Sequence, residues 1–167
     1  MLPDDKFCQT CAAQLQLRDM EGKQRPVCPG CGRVLYYDPK VAAASIIERD
    51  GKILLIRRAG DPGYGLWSMP GGYVDRGEVV EEAAMREARE ETGLEVEIDR
   101  LVGLFSEAGH PVMVAAFVVR EVGGCLEPGQ EALEVGFFPP EGLPPLAFPR
   151  DQLILDRWQS LRDGLSP

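Results

Sequence analysis

The sequence predicts an α/β protein in which a small four-cysteine module precedes one larger domain. Four of the five cysteines lie within the first 31 residues, β-like runs and turns follow from residue 41, and two later segments have helical patterns. A chain of 167 residues holds one domain and a small appendage, but it is too short for two domains of ordinary size. We place residues 1–38 in the module and residues 39–167 in the domain.

Charge and apolar runs argue against several classes of function. Lys and Arg number 18 against 27 Asp and Glu, and this net charge of −9 disfavours attraction to nucleic acid or to an anionic membrane surface. The longest apolar run, residues 112–119, has eight residues, whereas a membrane-spanning helix needs about 20. The acidic N-terminus leads into no apolar stretch, so we expect a cytoplasmic protein without a secretion signal.

The module is defined by two Cys-x2-Cys pairs, Cys8 with Cys11 and Cys28 with Cys31. Each pair can offer two thiolates to one tetrahedral ion, so the spacing favours structural zinc over the alternatives, two disulfides or a redox dithiol. Four thiolates leave no open position for water, and the ion is therefore expected to hold the fold of the module. Cys125 stands alone in an apolar context and is predicted to be a buried small residue.

The domain begins with two strands, Val41–Glu48 and Lys52–Arg58, joined by an Asp-Gly hairpin signal. A Gly-rich loop over residues 60–72 leads to a helix from about Gly77 to Thr92, which Gly93 ends. The later elements are predicted as strands at 94–105, 111–121 and 133–138, a turn at 123–124, a Pro-rich surface loop at 139–149 and a closing helix at 151–161.

This helix carries carboxylates on the side that should be buried. At about 100° per residue, Glu87 and Glu91 fall within the apolar stripe of valine and alanine residues, and Glu90 falls at its edge. Like charges on a covered face are costly unless a cation compensates them. The pattern indicates either a Mg²⁺ or Mn²⁺ site or a cluster neutralised by arginine, and the small residues Gly71 and Gly72 just before the helix favour the metal.

Residues 72–94 read GYVDRGEVVEEAAMREAREETGL. This segment resembles the Nudix box, Gly-x5-Glu-x7-Arg-Glu-u-x-Glu-Glu-x-Gly-u with u apolar. The residues at its fixed positions are Gly72, Glu78, Arg86, Glu87, Glu90, Glu91 and Gly93. The resemblance implies an α/β/α sandwich around a mixed sheet, a box that binds divalent metal, and hydrolysis of a nucleoside diphosphate linked to another moiety.

The resemblance also implies roles for individual residues. Glu87, Glu90 and Glu91 match the carboxylates that bind the catalytic Mg²⁺ or Mn²⁺, and Glu87 also matches a position credited as base. The carbonyl of Gly71 or Gly72 matches the backbone ligand of the metal.

Further site residues support this ligand set. Arg86 matches the arginine that orients the carboxylates, and Glu78 matches a glutamate that supports the metal site. Many members add an acidic residue from a later loop, for which Glu131 is the first candidate here and Glu134 the second.

The four-cysteine module ahead of the box resembles the NADH pyrophosphatases and the related FAD pyrophosphatases. The NADH group carries a Ser-Gln-Pro-Trp-Pro-Phe-Pro-x-Ser signature, whereas residues 100–111 here read RLVGLFSEAGHP. Residues 65–72, GLWSMPGG, and residues 145–148, PLAF, are more similar to the FAD group. We therefore expect a dinucleotide or ADP-ribose-like substrate, such as FAD, which would yield FMN and AMP.

Four side chains outside the box are candidates for binding this substrate. Tyr64 and Trp67 could stack on adenine or isoalloxazine, or they could cover the core. One of Arg57 and Arg58 could contact phosphate, with a solvated strand end the alternative for the other. The single histidine, His110, is expected to be structural or exposed.

Two other functions compete with this one. A non-catalytic binding module is disfavoured because residues 1–40 carry six Lys and Arg against five Asp and Glu, so they lack a basic patch, and because the box is intact. A nucleoside triphosphate as substrate stays open. For partners we expect a small nucleotide and a second copy of the chain in a homodimer.

Overall fold

A computed structural model describes residues 5–164 and divides the chain into two compact units, Met1–Pro39 and Lys40–Pro167. The strands are β1 (Gln16–Met20), β2 (Lys23–Val27), β3 (Lys40–Arg49), β4 (Lys52–Arg58), β5 (Trp67–Ser68), β6 (Gly71–Tyr73), β7 (Leu94–Phe105), β8 (Val112–Gly124) and β9 (Ala132–Phe138). The helices are α1 (Val80–Thr92) and α2 (Pro149–Arg162), with a 3₁₀ turn at Pro140–Gly142. None of the helices within the described residues is both long and apolar enough to span a membrane.

The first unit is a β-hairpin beside the cysteines. Its strands β1 and β2 pair antiparallel from Gln16 with Val27 to Met20 with Lys23. Backbone bonds close the two cysteine turns, with Ala12 N–H donating to Cys8 O and Gly32 N–H donating to Cys28 O. So short a unit buries little apolar surface, which is the reason such modules need a metal or disulfides.

The second unit is built on one mixed sheet with the order β5-β4-β3-β8-β7, to which β6 adds on β3 and β9 on β4. Only β3 and β8 pair in parallel among these described strands, and the other pairs are antiparallel. Side chains along β3 alternate between the faces of the sheet, so Ala43 and Ile47 enter one core cluster while Ala44 and Ile46 enter the other.

A helix covers each face of the sheet. On one face α1 buries Ala83, Ala84 and Ala88, and on the other face α2 buries Ile154, Leu155 and Trp158. Small residues on α1 let its backbone approach the sheet closely, and Ser45 on β3 donates its hydroxyl to Ala84 O at 3.1 Å. The predicted α/β/α sandwich with a mixed sheet is confirmed.

Several boundaries differ from those predicted. Helix α1 begins at Val80 rather than Gly77, because Glu78 is held in a turn by hydrogen bonds with Asp75. It ends as predicted at Gly93, whose φ is 72°; a Cβ there would lie 2.3 Å from Cys125 O.

The region after β8 shows two further differences. The predicted turn at Gly123-Gly124 continues β8 and pairs with Glu95 and Leu94 of β7. The prediction that Cys125 is buried is wrong, since its side chain is exposed. Its backbone explains this position: the Cys125 N–H bonds Gly93 O, so the segment is held by its main chain, not by burial of the thiol.

Candidate active site

Glu91 is buried where the loop before α1 meets the helix. It is 3% exposed, and its Oε2 accepts the N–H of Gly71 at 2.7 Å. Burial raises the pKa of Glu91 to about 8, although the Gly71 N–H opposes this shift, and the charge of Glu87 adds to it. Burial at this position therefore disfavours the charged form of Glu91.

Glu87 lies directly against the backbone of Gly72. A Cβ built on Gly72 would come within 2.4–2.7 Å of the carboxylate atoms of Glu87, so a larger residue would displace that carboxylate. Burial raises the pKa of Glu87, and Arg86 partly offsets the rise. The requirement for glycine at this position is thus a requirement for space beside a carboxylate.

Arg86 supplies the positive charge for this cluster. Its Nε and Nη2 donate to the two oxygens of Glu78 at 2.7 and 3.0 Å, and its Nη1 donates to Glu87 Oε1 at 2.8 Å and to Glu90 Oε2 at 3.1 Å. The side-chain bond from Arg86 is the main cause that lowers the pKa of Glu78 to about 2. The same bonds, that to Glu78 first, raise the pKa of Arg86.

The four glutamates differ in the oxygens they leave free. Glu78 uses both oxygens, because its Oε2 also accepts the N–H of Asp75 at 2.8 Å. Glu87, Glu90 and Glu91 each use one oxygen, and no group within residues 5–164 donates to the other. Glu78 is therefore occupied in holding Arg86, whereas each of the other three keeps an oxygen of the kind that Mg²⁺ and Mn²⁺ prefer.

These glutamates are not drawn together onto one point. In the part of the chain that the structure describes, the four cysteines alone bring three or more metal-binding side chains within 4.8 Å of one another. A donor set of three free carboxylate oxygens beside a glycine cradle fits a divalent cation. Arg86 bonds Glu87 and Glu90 of this set, and the Gly71 N–H bonds Glu91.

The loop before β9 brings one more carboxylate to the cluster. Gly129 N–H donates to Glu91 O at 3.0 Å, which fixes this loop on the C-terminal end of α1. Burial is the larger cause of the raised pKa values of Glu87 and Glu91, and the charge of Glu131 adds to both. Glu134, the second candidate, instead lies 3.7 Å from Arg57 across the β4–β9 pair.

The cysteines of the first unit form a compact group. Their Sγ atoms all lie within 4.8 Å, with 3.4 Å between Cys11 and Cys28 and 3.7 Å between Cys8 and Cys31. A tetrahedron with metal–sulfur bonds of about 2.3 Å has edges of about 3.8 Å, so the group suits zinc. Backbone N–H groups of Thr10 and Cys31 donate to Cys8 and Cys28, and the Thr10 bond is the main cause that lowers the pKa of Cys8 to about 6.

Comparison with known proteins decides the family. The NUDIX domain family matches residues 37–158, which is most of the chain. The chain belongs to the Nudix hydrolase family. The family described as Nudix N-terminal, a zinc ribbon, matches residues 6–37. Both parts of the predicted resemblance are therefore confirmed.

Several proteins with known or assigned activities are similar to this chain. An ADP-ribose pyrophosphatase of Methanocaldococcus jannaschii is 43% identical over 75% of this chain and 78% of its own length. An NAD-capped RNA hydrolase NudC of Chromobacterium violaceum is 34% identical over 86% of this chain, which spans only 54% of that protein. A Nudix hydrolase crystal structure from Nitrosomonas europaea matches with a TM-score of 0.88 and 32% identity, covering 97% of this chain and 94% of the other.

The candidate substrate side chains beside the Nudix box have different surroundings. Trp67 packs edge-on against Phe138 with ring centroids 4.7 Å apart, at the border of the α2-side core, and Tyr64 is exposed. Arg57 donates to Gly65 O and pairs with a glutamate. Arg58 uses its Nε on a backbone carbonyl, and its terminal nitrogens bond no described residue.

One buried carboxyl near the site was not predicted. Asp151 is 5% exposed, and its Oδ2 has no hydrogen-bond partner among residues 5–164. The sequence contains only an ordinary helix start at this point, with proline followed by an acidic residue in the first turn. Such a pattern gives no sign that the acid faces inward.

Proposed function

We propose that this Nudix hydrolase cleaves the diphosphate of a nucleoside diphosphate derivative, with ADP-ribose as its first substrate and FAD as its second. The observation that supports the reaction best is that the glutamates around Arg86 differ in how many of their oxygens accept hydrogen bonds. Glu78 is fully engaged with the arginine, whereas Glu87, Glu90 and Glu91 each keep one oxygen without a protein donor.

In this proposal Glu87, Glu90 and Glu91 hold Mg²⁺ or Mn²⁺ together with the carbonyl of Gly71 or Gly72. A bound divalent ion supplies a water of lowered pKa and neutralises charge on the diphosphate. Arg86 orients Glu87 and Glu90, and Glu78 fixes the guanidinium.

Other residues of the proposal surround this set. Glu131 adds negative charge on the side of the metal, Arg58 faces the substrate phosphates, and Tyr64 and Trp67 form an aromatic border. Water adds to one phosphorus and the bridging bond breaks, so that ADP-ribose yields AMP and ribose phosphate, and FAD yields AMP and FMN. Residues 39–167 carry this chemistry, and residues 1–38 carry a structural zinc.

The choice of substrate rests on relatives and on sequence. The ADP-ribose pyrophosphatase relative favours ADP-ribose, because the match covers 78% of that protein. The FAD-type segments at 65–72 and 145–148 support FAD in second place. A CTP pyrophosphohydrolase of Escherichia coli, 37% identical over 71% of this chain, is the reason to keep triphosphates in the test.

A substrate panel tests the proposal. The purified full chain is incubated in Mg²⁺ or Mn²⁺ with ADP-ribose, FAD, NADH and CTP, and the released monophosphates are measured. We expect the highest kcat/KM with ADP-ribose. Turnover of CTP alone would show that the substrate is a nucleoside triphosphate and not a nucleoside diphosphate derivative. No turnover of any nucleotide would contradict both hypotheses.

Glu91→Gln tests the metal site. Since burial already favours the neutral form of this side chain, glutamine should keep the fold while removing a metal ligand. We expect kcat to fall about 10³-fold, in keeping with the several kcal/mol that a catalytic metal supplies. Glu82→Gln, an exposed change in the first turn of α1, is the matched control and should keep wild-type kcat.

A further inference from the structure

Two arginines from distant parts of the chain share one aromatic ring. The guanidinium carbon of Arg58, at the end of β4, lies 5.2 Å from the ring centroid of Phe148, and that of Arg150, in α2, lies 5.1 Å from the same centroid. These distances are those of cation–π contacts. Arg58 is held further by its Nε, which donates to Pro62 O at 2.9 Å.

Neither guanidinium is neutralised by an ion pair. Within residues 5–164, no carboxylate lies within 4.0 Å of a nitrogen of Arg58 or Arg150. The charges of both arginines act on the pKa of Asp151. This residue is 5% exposed, and its Oδ2 has no hydrogen-bond partner among residues 5–164. Two positive charges therefore accompany one buried carboxyl that bonds neither of them.

Of these residues, Arg58 is the one that acts on a carboxyl of the Nudix box. Burial raises the pKa of Glu91, and the positive charge of Arg58 opposes that rise, as it also does for Asp151. Arg58 thus lies close enough to act electrostatically on both carboxyls. The Gly-rich loop also lies close to Arg58. A Cβ on Gly63 in this loop would lie 2.8 Å from Ala147 and 3.4 Å from Arg58.

We propose that Arg58 and Arg150, held by Phe148, form a subsite for the non-bridging oxygens of the substrate diphosphate, and that Asp151 limits the strength of that subsite. The inference rests on the proposed function and extends it by naming Arg150, Phe148 and Asp151. Guanidinium groups suit phosphate because their planar fork donates two parallel hydrogen bonds. The guanidinium groups of Arg58 and Arg150 both contact Phe148 and have no ion-pair partner among residues 5–164, so they are preorganised for such an anion.

Asp151 gives the subsite a dependence on pH. Burial raises the pKa of Asp151 to about 7, against the opposing charges of Arg150 from α2 and Arg58 from β4. When Asp151 ionises, its charge repels a phosphate held by these two arginines. Anion affinity should therefore be higher below pH 7 than above it.

Pyrophosphate binding to the zinc-loaded full chain, without added Mg²⁺ or Mn²⁺, tests the subsite directly. By calorimetry, Arg150→Gln should raise the Kd about tenfold, the size expected for a lost charge-assisted hydrogen bond. Arg150→Lys should give an intermediate Kd, because lysine keeps the charge but lacks the fork. Arg100→Gln, an exposed change on β7, should leave the Kd unchanged. A wild-type Kd in Arg150→Gln would overturn the proposal.

Asp151→Asn tests the limiting role. At pH 8 this variant should bind pyrophosphate about threefold more tightly than wild type, and at pH 6 the two should agree. A difference that is the same at both pH values, or a weaker binding at pH 8, would contradict the role of Asp151.

The kinetics of ADP-ribose hydrolysis give an independent test of the subsite. With ADP-ribose, Arg150→Gln should raise KM about tenfold and keep kcat within twofold, whereas a fall in kcat with unchanged KM would contradict a binding role. Should wild type turn over no nucleotide, the proposed function fails, yet the pyrophosphate measurement still decides the subsite.

Discussion

The two groups of side chains that suit metal binding in this protein are built in opposite ways. The cysteines of the first unit come together within 4.8 Å, and backbone N–H groups donate to Cys8 and Cys28. The glutamates described in the second unit do not converge on one point: Arg86 bonds three of them, and the Gly71 N–H bonds the fourth. One group is closed around a point, and the other is open.

The difference follows from what each group has to do. A four-thiolate site gives its ion no free position, so it can only hold structure. A hydrolytic site has to admit metal, water and phosphate, so its carboxylates need oxygens that no protein group occupies. Arg86 bonds one oxygen each of Glu87 and Glu90, and the Gly71 N–H bonds one oxygen of Glu91. No donor among residues 5–164 bonds the other oxygen of these three glutamates.

Loss of zinc should have the largest effect. A variant with Cys28→Ser and Cys31→Ser is expected to bind no zinc and to lose the β1–β2 hairpin, because structural zinc contributes about 10 kcal/mol to small units of this kind. Metal content by mass spectrometry and the amide NMR signals of the hairpin check this. Signals of residues 40–164 should persist; their loss would show that the two groups are not independent.

Weakening the open group should have the next largest effect. Arg86→Lys keeps the charge but cannot bond Glu78 with two nitrogens while reaching Glu87 and Glu90. We expect kcat with ADP-ribose to fall about 10²-fold, roughly 3 kcal/mol in activation free energy. Arg89→Lys, an exposed change on the same helix, is the control. Equal activity of both variants would contradict the role given to Arg86.

A buried carboxyl outside both groups should affect stability without any metal. Burial raises the pKa of Asp151 to about 7, so the native state keeps a proton that the unfolded chain has lost between about pH 4 and 7. The free energy of unfolding should therefore fall as pH rises through this window. Asp151→Asn should become more stable than wild type by up to about 4 kcal/mol at pH 8, and by almost nothing at pH 4.

Urea titrations at the two pH values measure this difference. Adding Mg²⁺ should leave it unchanged, because no metal is assigned to Asp151. A gain in stability that is equal at pH 4 and pH 8 would contradict a raised pKa.

The smallest effect is expected at the fifth cysteine. Because the Cys125 side chain is exposed, Cys125→Ser should change the free energy of unfolding by less than about 0.5 kcal/mol. In zinc-loaded protein Cys125 should also be the thiol that iodoacetamide alkylates first, as read by peptide mass spectrometry. Earlier alkylation of Cys11 or Cys31 would argue against a closed zinc group.

The sequence determined the parts of this protein that depend on local spacing. Two Cys-x2-Cys pairs predict the zinc ribbon, because short turns bring such pairs together. The helical period places Glu91 among apolar residues, and the structure finds it buried. Gly93 ends α1 because a left-handed residue was needed there. Each of these predictions uses geometry within one turn or one helix.

The tertiary structure decided what depends on distant segments. The charge of Glu131 acts on Glu87 and Glu91, whereas Glu134 pairs with Arg57, and this difference depends on the Gly129 bond to the end of α1 and on the β4–β9 pairing. Burial of Asp151 and exposure of Cys125 depend on which neighbours pack over them. The joint position of Arg58 and Arg150 on one ring arises because the sheet brings the end of β4 to the start of α2, a contact that no local pattern encodes.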